Sequence, residues 1–151
     1  MKHRIYVASC WRFWKYPYDA LEEAVANSLY HRSYDQHEPV EITIEPEGIS
    51  ILNCPGPDWS IPMAAIEKGD NLKSRRYRNR RLGEFLKELD LTEGRSTGVP
   101  AILEKLADNG SSRASSETTE DRLTFLIYIP STSNNYWNFV FKYNQTNKMA
   151  M

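Results

Sequence analysis

Three polar residues stand one helical turn apart in the first third of the chain: Glu23, Asn27 and His31. In a helix, i, i+4 spacing stacks them into a line only about 40° wide. A carboxylate and a carboxamide placed this way can do paired work. The carboxylate can accept a proton from a water. The amide oxygen can complete the oxygen shell of a Mg²⁺ ion that also touches phosphates. The same line is also what the solvated polar face of an amphipathic helix looks like, and the helix alone does not separate the two readings.

Two loops and one charged block could also do chemistry. Asn53-Cys-Pro-Gly-Pro57 stops regular structure, and Gly94-Arg-Ser-Thr-Gly98 opens a helix. Backbone N–H groups at such a helix start, with glycine flexibility and the Thr97 hydroxyl, can hold a phosphate. A plain helix–helix connection has the same look. From Lys68 to Arg81 there are seven basic residues and one acid, Asp70. The guanidinium forks of Arg75, Arg76, Arg78, Arg80 and Arg81 suit phosphate oxygens of a nucleotide or a DNA backbone, or a partner's acidic face. They would equally form a solvated surface offset by Glu84, Glu88 and Asp90. Cys10 and Cys54 have no companions at metal-ligand spacing.

The elements that must position these groups follow from periodicity. Pro17 to Arg32 reads as a helix, with Asp19 and Glu22 as a capping-box-like start and Leu21, Ala24, Val25, Ser28 and Leu29 facing the core. Val40–Ile44 alternates, Pro46-Glu-Gly48 turns, and Ile49–Leu52 resumes, which predicts a β-hairpin. A short helix is expected from Ser60-Ile-Pro62 to about Ile66. Another carries Leu82, Phe85, Leu86 and Leu89, and a third runs from Val99 to Asp108 with Asn109-Gly110 as its stop. Residues 110–121 are polar and low in complexity and read as a mobile loop. Leu123–Ile129 and Trp137–Phe141 read as closing strands. Helices stacked on one face of a mixed or antiparallel sheet make an α+β two-layer α/β sandwich. Residues 1–16 form a lead-in, 17–143 the domain, and 144–151 a tail.

Composition bounds the rest. The chain has 151 residues, is 40% hydrophobic and 26% charged, and carries a net charge of −1. That is one globular domain, and it argues against a uniformly basic nucleic-acid binder. The balance conceals the basic block, which is +6 against −7 elsewhere. Two cysteines make no disulfide framework, and the start of the chain lacks a signal-peptide pattern. The longest uncharged run, Leu123 to Phe141, is broken by Pro130-Ser-Thr-Ser-Asn-Asn135, so no membrane span is expected. The expected compartment is reducing and cytoplasmic.

Residues 17–34, Pro17-Tyr-Asp-Ala-Leu-Glu-Glu-Ala-Val-Ala-Asn-Ser-Leu-Tyr-His-Arg-Ser-Tyr34, resemble the pattern P-x-x-A-L-x-E-A-x-x-N-A-x-x-H-R-x-Y, with Ser28 where the pattern has alanine. Further ordered blocks are Glu38–Ile42, Asn53–Asp58, Arg76–Leu82, Glu93–Pro100, Asn109-Gly110 and Thr119–Phe125. Together, over about residues 16–130, the chain resembles the RecG-like C-terminal ATPase domain of transcriptional regulators, a divergent branch of the GHKL (Bergerat) ATP-binding fold. The resemblance implies ATP and Mg²⁺ as cofactors. It implies that Glu23 orients the attacking water and that Asn27 helps hold Mg²⁺. Asn53 stands where an Asp reads the adenine amine, with Gly56 in the same box, and Gly94, Thr97 and Gly98 match the glycine box beside the phosphates. Arg76 lies in the lid region, 58–92, within reach of phosphate.

There are departures from the family pattern. Asn53, Pro55 and Pro57 replace the Asp-x-Gly-x-Gly residues, and proline offers no N–H. Ser96 replaces a glycine. These family regulators often carry an AlbA/Schlafen-type DNA-binding domain ahead of this one, so the chain is expected to be a domain of a longer regulator or the remnant of one. The implied function is Mg²⁺-dependent nucleotide binding with slow or no hydrolysis, in a homodimer or alone. The alternatives are a non-catalytic GHKL-like scaffold for dimerisation or partner contact, and DNA-backbone binding through residues 68–81.

Overall fold

The computed structural model describes residues 14–69, 78–89, 91 and 98–132. The element order is α1 (Tyr18–His31), β1 (Glu41–Ile44), β2 (Gly48–Asn53), α2 (Met63–Lys68), α3 (Arg80–Glu88), α4 (Gly98–Asp108), β3 (Ser115–Thr118) and β4 (Phe125–Pro130). The four strands form one sheet in the order β1-β2-β4-β3, and every pairing is antiparallel. Of the two sheet types open to the sequence, the described strands therefore make the antiparallel one, not the mixed one. The expected α+β sandwich holds. The second closing strand, Trp137–Phe141, and the tail lie outside the described residues.

The core explains the layering. Ile49 and Ile51 of β2 pair across to Ile129 and Ile127 of β4, so all four side chains share one face. On that face lie Ala20 and Ala24 of α1 and Ile102 and Leu106 of α4. The two alanines are 0% and 2% exposed. Their small side chains let the α1 backbone come close to the sheet, so the larger Leu21 and Val25 pack at the margin. α2 covers the β3 end of the same face, where buried Ser116 donates to Ile66 O at 2.6 Å. α3 packs outside, against α1.

Local departures from the sequence reading have physical causes. The capping box does not form: Pro17 is the N-cap, and Glu22 instead accepts the Tyr18 hydroxyl at 2.9 Å. The expected mobile loop at 110–121 contains β3. Its strand is hidden from hydrophobic patterning because its inward residue is a serine, which finds a carbonyl rather than an apolar neighbour. Phe85 and Leu89, counted in the apolar stripe of α3, are 55% and 52% exposed; Gly83 and Leu86 face inward.

α4 ends in a Schellman motif, with Gly110 N–H on Ala107 O and Ser111 N–H on Leu106 O, both at 2.9 Å. Asn109 at that end is buried and holds the entry strap. It accepts from Trp14 N at 3.0 Å and donates to Trp14 O at 2.9 Å and Ser111 Oγ at 2.8 Å. Thr132 joins it by donating to Lys15 O at 2.8 Å. One carboxamide thus ties the entry segment, the end of α4 and the exit of β4. Asn109→Ala should lower unfolding free energy by roughly 1–3 kcal/mol in urea denaturation, because several buried partners lose their bonds together.

Candidate functional site

The polar line of α1 is real and organised. Asn27 Nδ2 donates to Glu23 Oε1 at 2.7 Å and to Glu23 O at 2.8 Å. Both partners are acceptors, so the amide nitrogen must face them and Oδ1 must point away. Oδ1 is turned to the start of α4: a Cβ built on Gly98 would lie 3.1 Å from it. Gly98 has φ +24°, a region that side chains rarely adopt, and the space beside it belongs to Asn27. The fold thus brings Glu23, Asn27 and Gly98 together, although 71 residues separate Asn27 from Gly98. Gly94, Ser96, Thr97 and Arg76 lie outside the described residues.

The other predicted loop docks on the far end of α1. Asn53 ends β2, opposite Phe125, on the same sheet face as Ile49 and Ile51. It is 4% exposed, and its Oδ1 has no hydrogen-bond partner among the described residues. Buried carboxamide oxygens are nearly always satisfied, so this one calls for a donor. The following Cys54–Pro55 bond is cis, and Ser33 N–H donates to Cys54 O at 3.0 Å. Gly56 is held on both sides. Its N–H donates to Arg122 O at 2.8 Å, and its carbonyl accepts from Arg78 at 3.4 Å. A Cβ there would lie 2.7 Å from Thr118 Oγ1 and Thr124 O, so only glycine lets this loop sit against the β3–β4 turn.

Two organising residues, Asn79 and Arg122, escaped the site reading, and Arg78, read as a phosphate-binding fork, is engaged with backbone carbonyls. Arg78 donates to His31 O at 3.1 Å, and Asn79 Nδ2 donates to Tyr30 O at 2.9 Å and Arg32 O at 2.7 Å. These side chains satisfy carbonyls that the end of any helix leaves open. Arg122, 7% exposed and at φ 55°, donates to Asp58 O at 2.8 Å and Ile61 O at 2.6 Å and stacks over Trp59. It gathers the 57–61 loop around one guanidinium. The asparagine embedded among arginines at 79 was the available signal for the first pair; nothing in the periodicity marks Arg122. Within the basic block, Arg80 pairs with Glu84 at 3.2 Å and Arg81 is exposed.

A model of the family described as "Putative ATP-dependent DNA helicase recG C-terminal" matches residues 37–127. The chain belongs to this family of HATPase-like domains. The matched span includes Asn53, Gly56 and Gly98, whereas α1 with Glu23 and Asn27 precedes it. No protein of curated function matches. Among solved structures, the chain is similar to the crystal structure of the DIP2311 protein from Corynebacterium diphtheriae, with a TM-score of 0.61 and 22% identity over 78% of this chain. That likeness is one of fold. The chain spans 23% of the length of the solved one.

In this HATPase-like domain the third member of the α1 line is electrostatically constrained. Burial, then the neighbouring Arg78 charge, hold the His31 pKa below its ordinary value of 6.5. Among the described residues no three of His, Cys, Asp and Glu gather as a metal cluster, and no helix is long and apolar enough to cross a membrane. Unfolding frees the His31 ring to take a proton near pH 6.5, while the fold resists it. Its contribution to stability is therefore complete above that pH and declines as pH falls through it toward the lower folded value. Melting temperatures measured from pH 7.5 to 5 should fall, and His31→Gln should flatten the part of that fall that begins near 6.5.

Proposed function

We propose that this HATPase-like domain binds an adenine nucleotide with Mg²⁺, hydrolyses it slowly or not at all, and acts as the nucleotide-responsive part of a larger cytoplasmic transcriptional regulator whose DNA contacts lie mainly in another domain. The observation that carries this reading is the Glu23–Asn27 pair, with Asn27 Oδ1 turned to the start of α4 at Gly98. An oxygen donor fixed by a carboxylate beside a helix start suits a hard cation bridging to phosphate. Asn27 would hold the ion and Glu23 would orient a water. The ion, when bound, neutralises phosphate charge. The segment with Gly94, Thr97 and Gly98, and Arg76 from the basic block, would hold the phosphates. The unsatisfied Asn53 Oδ1 would accept from the adenine amine, which is a reason for a buried carbonyl oxygen without a partner.

A second reading, a non-catalytic scaffold, is favoured by one specific observation. Pro55 and Pro57 have no N–H, and that of Gly56 is engaged by Arg122 O. The loop therefore offers a ligand little backbone hydrogen bonding.

Calorimetric titration with ATP and Mg²⁺ separates the two. Under the first reading heat is released, and a nucleotide at about a hundred times its Kd stabilises by ~2.7 kcal/mol in thermal unfolding. Asn27→Ala should remove the Mg²⁺-dependent part of that binding, and Glu23→Gln should keep binding while lowering any turnover. No heat and no melting shift at millimolar ATP would leave the scaffold.

A further inference from the structure

The two edges of the described sheet are treated differently. At β3, α2 covers the strand, through Ser116 on Ile66 O and Arg113 on Lys68 O. At β1 no described element gives comparable cover: all four residues are exposed, Ile42 at 46% and Ile44 at 73%. Ile42 and Ile44 pair with Ile51 and Ile49, so they continue the apolar core face past the reach of the helices.

The backbone of this edge also has a defined polarity. Glu45 and Gly48 exchange both N–H···O bonds, at 2.9 and 3.3 Å. Antiparallel pairing alternates from there, so Thr43 and Glu41 bond inward to β2. The N–H and C=O groups of Ile42 and Ile44 point outward. The usual protections of an edge, a lysine, a proline or a bulge within the strand, are missing.

Charge selects the occupant. Residues 33–67 contain seven acids and no lysine or arginine. Glu38, Glu41, Glu45 and Glu47 flank the strand, all exposed, and among the described residues none of them has an ion-pair partner. By alternation, Glu41 and Thr43 lie on the face opposite Ile42 and Ile44. We propose that β1 is a docking edge for an extended, basic polypeptide segment of another protein, one that alternates apolar residues with lysine or arginine and adds a fifth strand antiparallel or parallel to β1. Its apolar face meets Ile42 and Ile44, its basic face meets the glutamates, and its backbone takes the outward groups of the two isoleucines.

A second copy of this chain fits less well. Self-pairing centred on Thr43 would oppose Ile42 and Ile44, but it sets Glu41 directly across from Glu45 twice, which is destabilising. Any other centre still brings both sets of four carboxylates to one seam.

The test uses the full chain without nucleotide, so its outcome is separate from that of ATP binding. A labelled short peptide alternating valine and lysine is titrated by fluorescence anisotropy, beside a peptide of the same composition with its valines and lysines in blocks. The alternating peptide should bind, more weakly as salt rises. Ile42→Pro, which removes an outward N–H, and Ile44→Lys should each weaken it about tenfold or more. Both positions are exposed, and an unchanged circular dichroism spectrum confirms that the variants fold. Glu41→Lys with Glu45→Lys should transfer preference to a peptide alternating valine and glutamate. No binding, equal binding of the blocked peptide, or binding indifferent to both isoleucine variants would overturn the proposal. So would a concentration-dependent dimer in sedimentation that Ile44→Lys abolishes, since the edge would then belong to a second copy.

Discussion

Ala20 and Ala24 lie flat against the isoleucine face of the sheet, and much of the molecule is a consequence of that contact. A helix seated on two alanines one turn apart has little freedom to roll, because any larger residue turned inward would have to be accommodated by the close-packed core. With the roll fixed, the residues on the adjoining stripe are fixed too. Glu23 and Asn27 must emerge toward α4, the other helix in contact with the same core. The short hydrogen bonds between them then remove the remaining side-chain freedom. The apolar packing beneath the polar pair sets where it emerges, and its hydrogen bonds then fix its side chains.

The same helix couples the two halves of the candidate site. Its middle carries the Glu23–Asn27 pair facing Gly98. Its end receives Arg78 and Asn79 and stands beside the 53–57 loop, through Ser33 on Cys54 O and Arg78 on Gly56 O. Arg78, whose charge adds to burial in lowering the His31 pKa, is therefore also bonded to the loop that follows Asn53. Arg78, Asn79 and the 53–57 loop thus meet at one end of α1. The bonds of Arg78 are charge-assisted contacts to backbone carbonyls, which hold a main-chain position whatever the side chains nearby.

Legibility in the sequence followed the physics of each element. The hairpin and α4 were readable because alternation, turn residues and a glycine stop are local signals. The Glu23–Asn27 pair was readable because i, i+4 spacing is local too. Its meeting with Gly98 was not, since no pattern within either helix specifies a contact across 71 residues; only the family resemblance pointed there. β3 was missed because a strand whose inward residue is Ser116 breaks the apolar alternation on which strand reading depends. Arg122 was missed for the complementary reason. Its role is to gather carbonyls from a loop some 60 residues earlier, and an arginine in a polar turn looks solvated until those carbonyls are found around it.

The contrast between the two sheet edges follows from where the helices fall. α1 and α4 sit over β2 and β4, and α2 extends the cover toward β3. No described helix extends it the other way, so the pleat continues under β1 with its isoleucines in the open. A strand in that position is costly to leave uncovered: apolar side chains face water and unpaired backbone groups invite other chains. Four glutamates around it lower that hazard by repelling like copies, at the expense of making the edge attractive to basic ones. Charge here acts as a filter on what the backbone would otherwise accept from any extended chain. That filter sits at the end of the sheet remote from α2, while Asn53 and its loop terminate the very strand, β2, that β1 pairs with. The edge and the candidate nucleotide site are thus joined by one hydrogen-bonded ladder, and a ligand at either would act on the same strand.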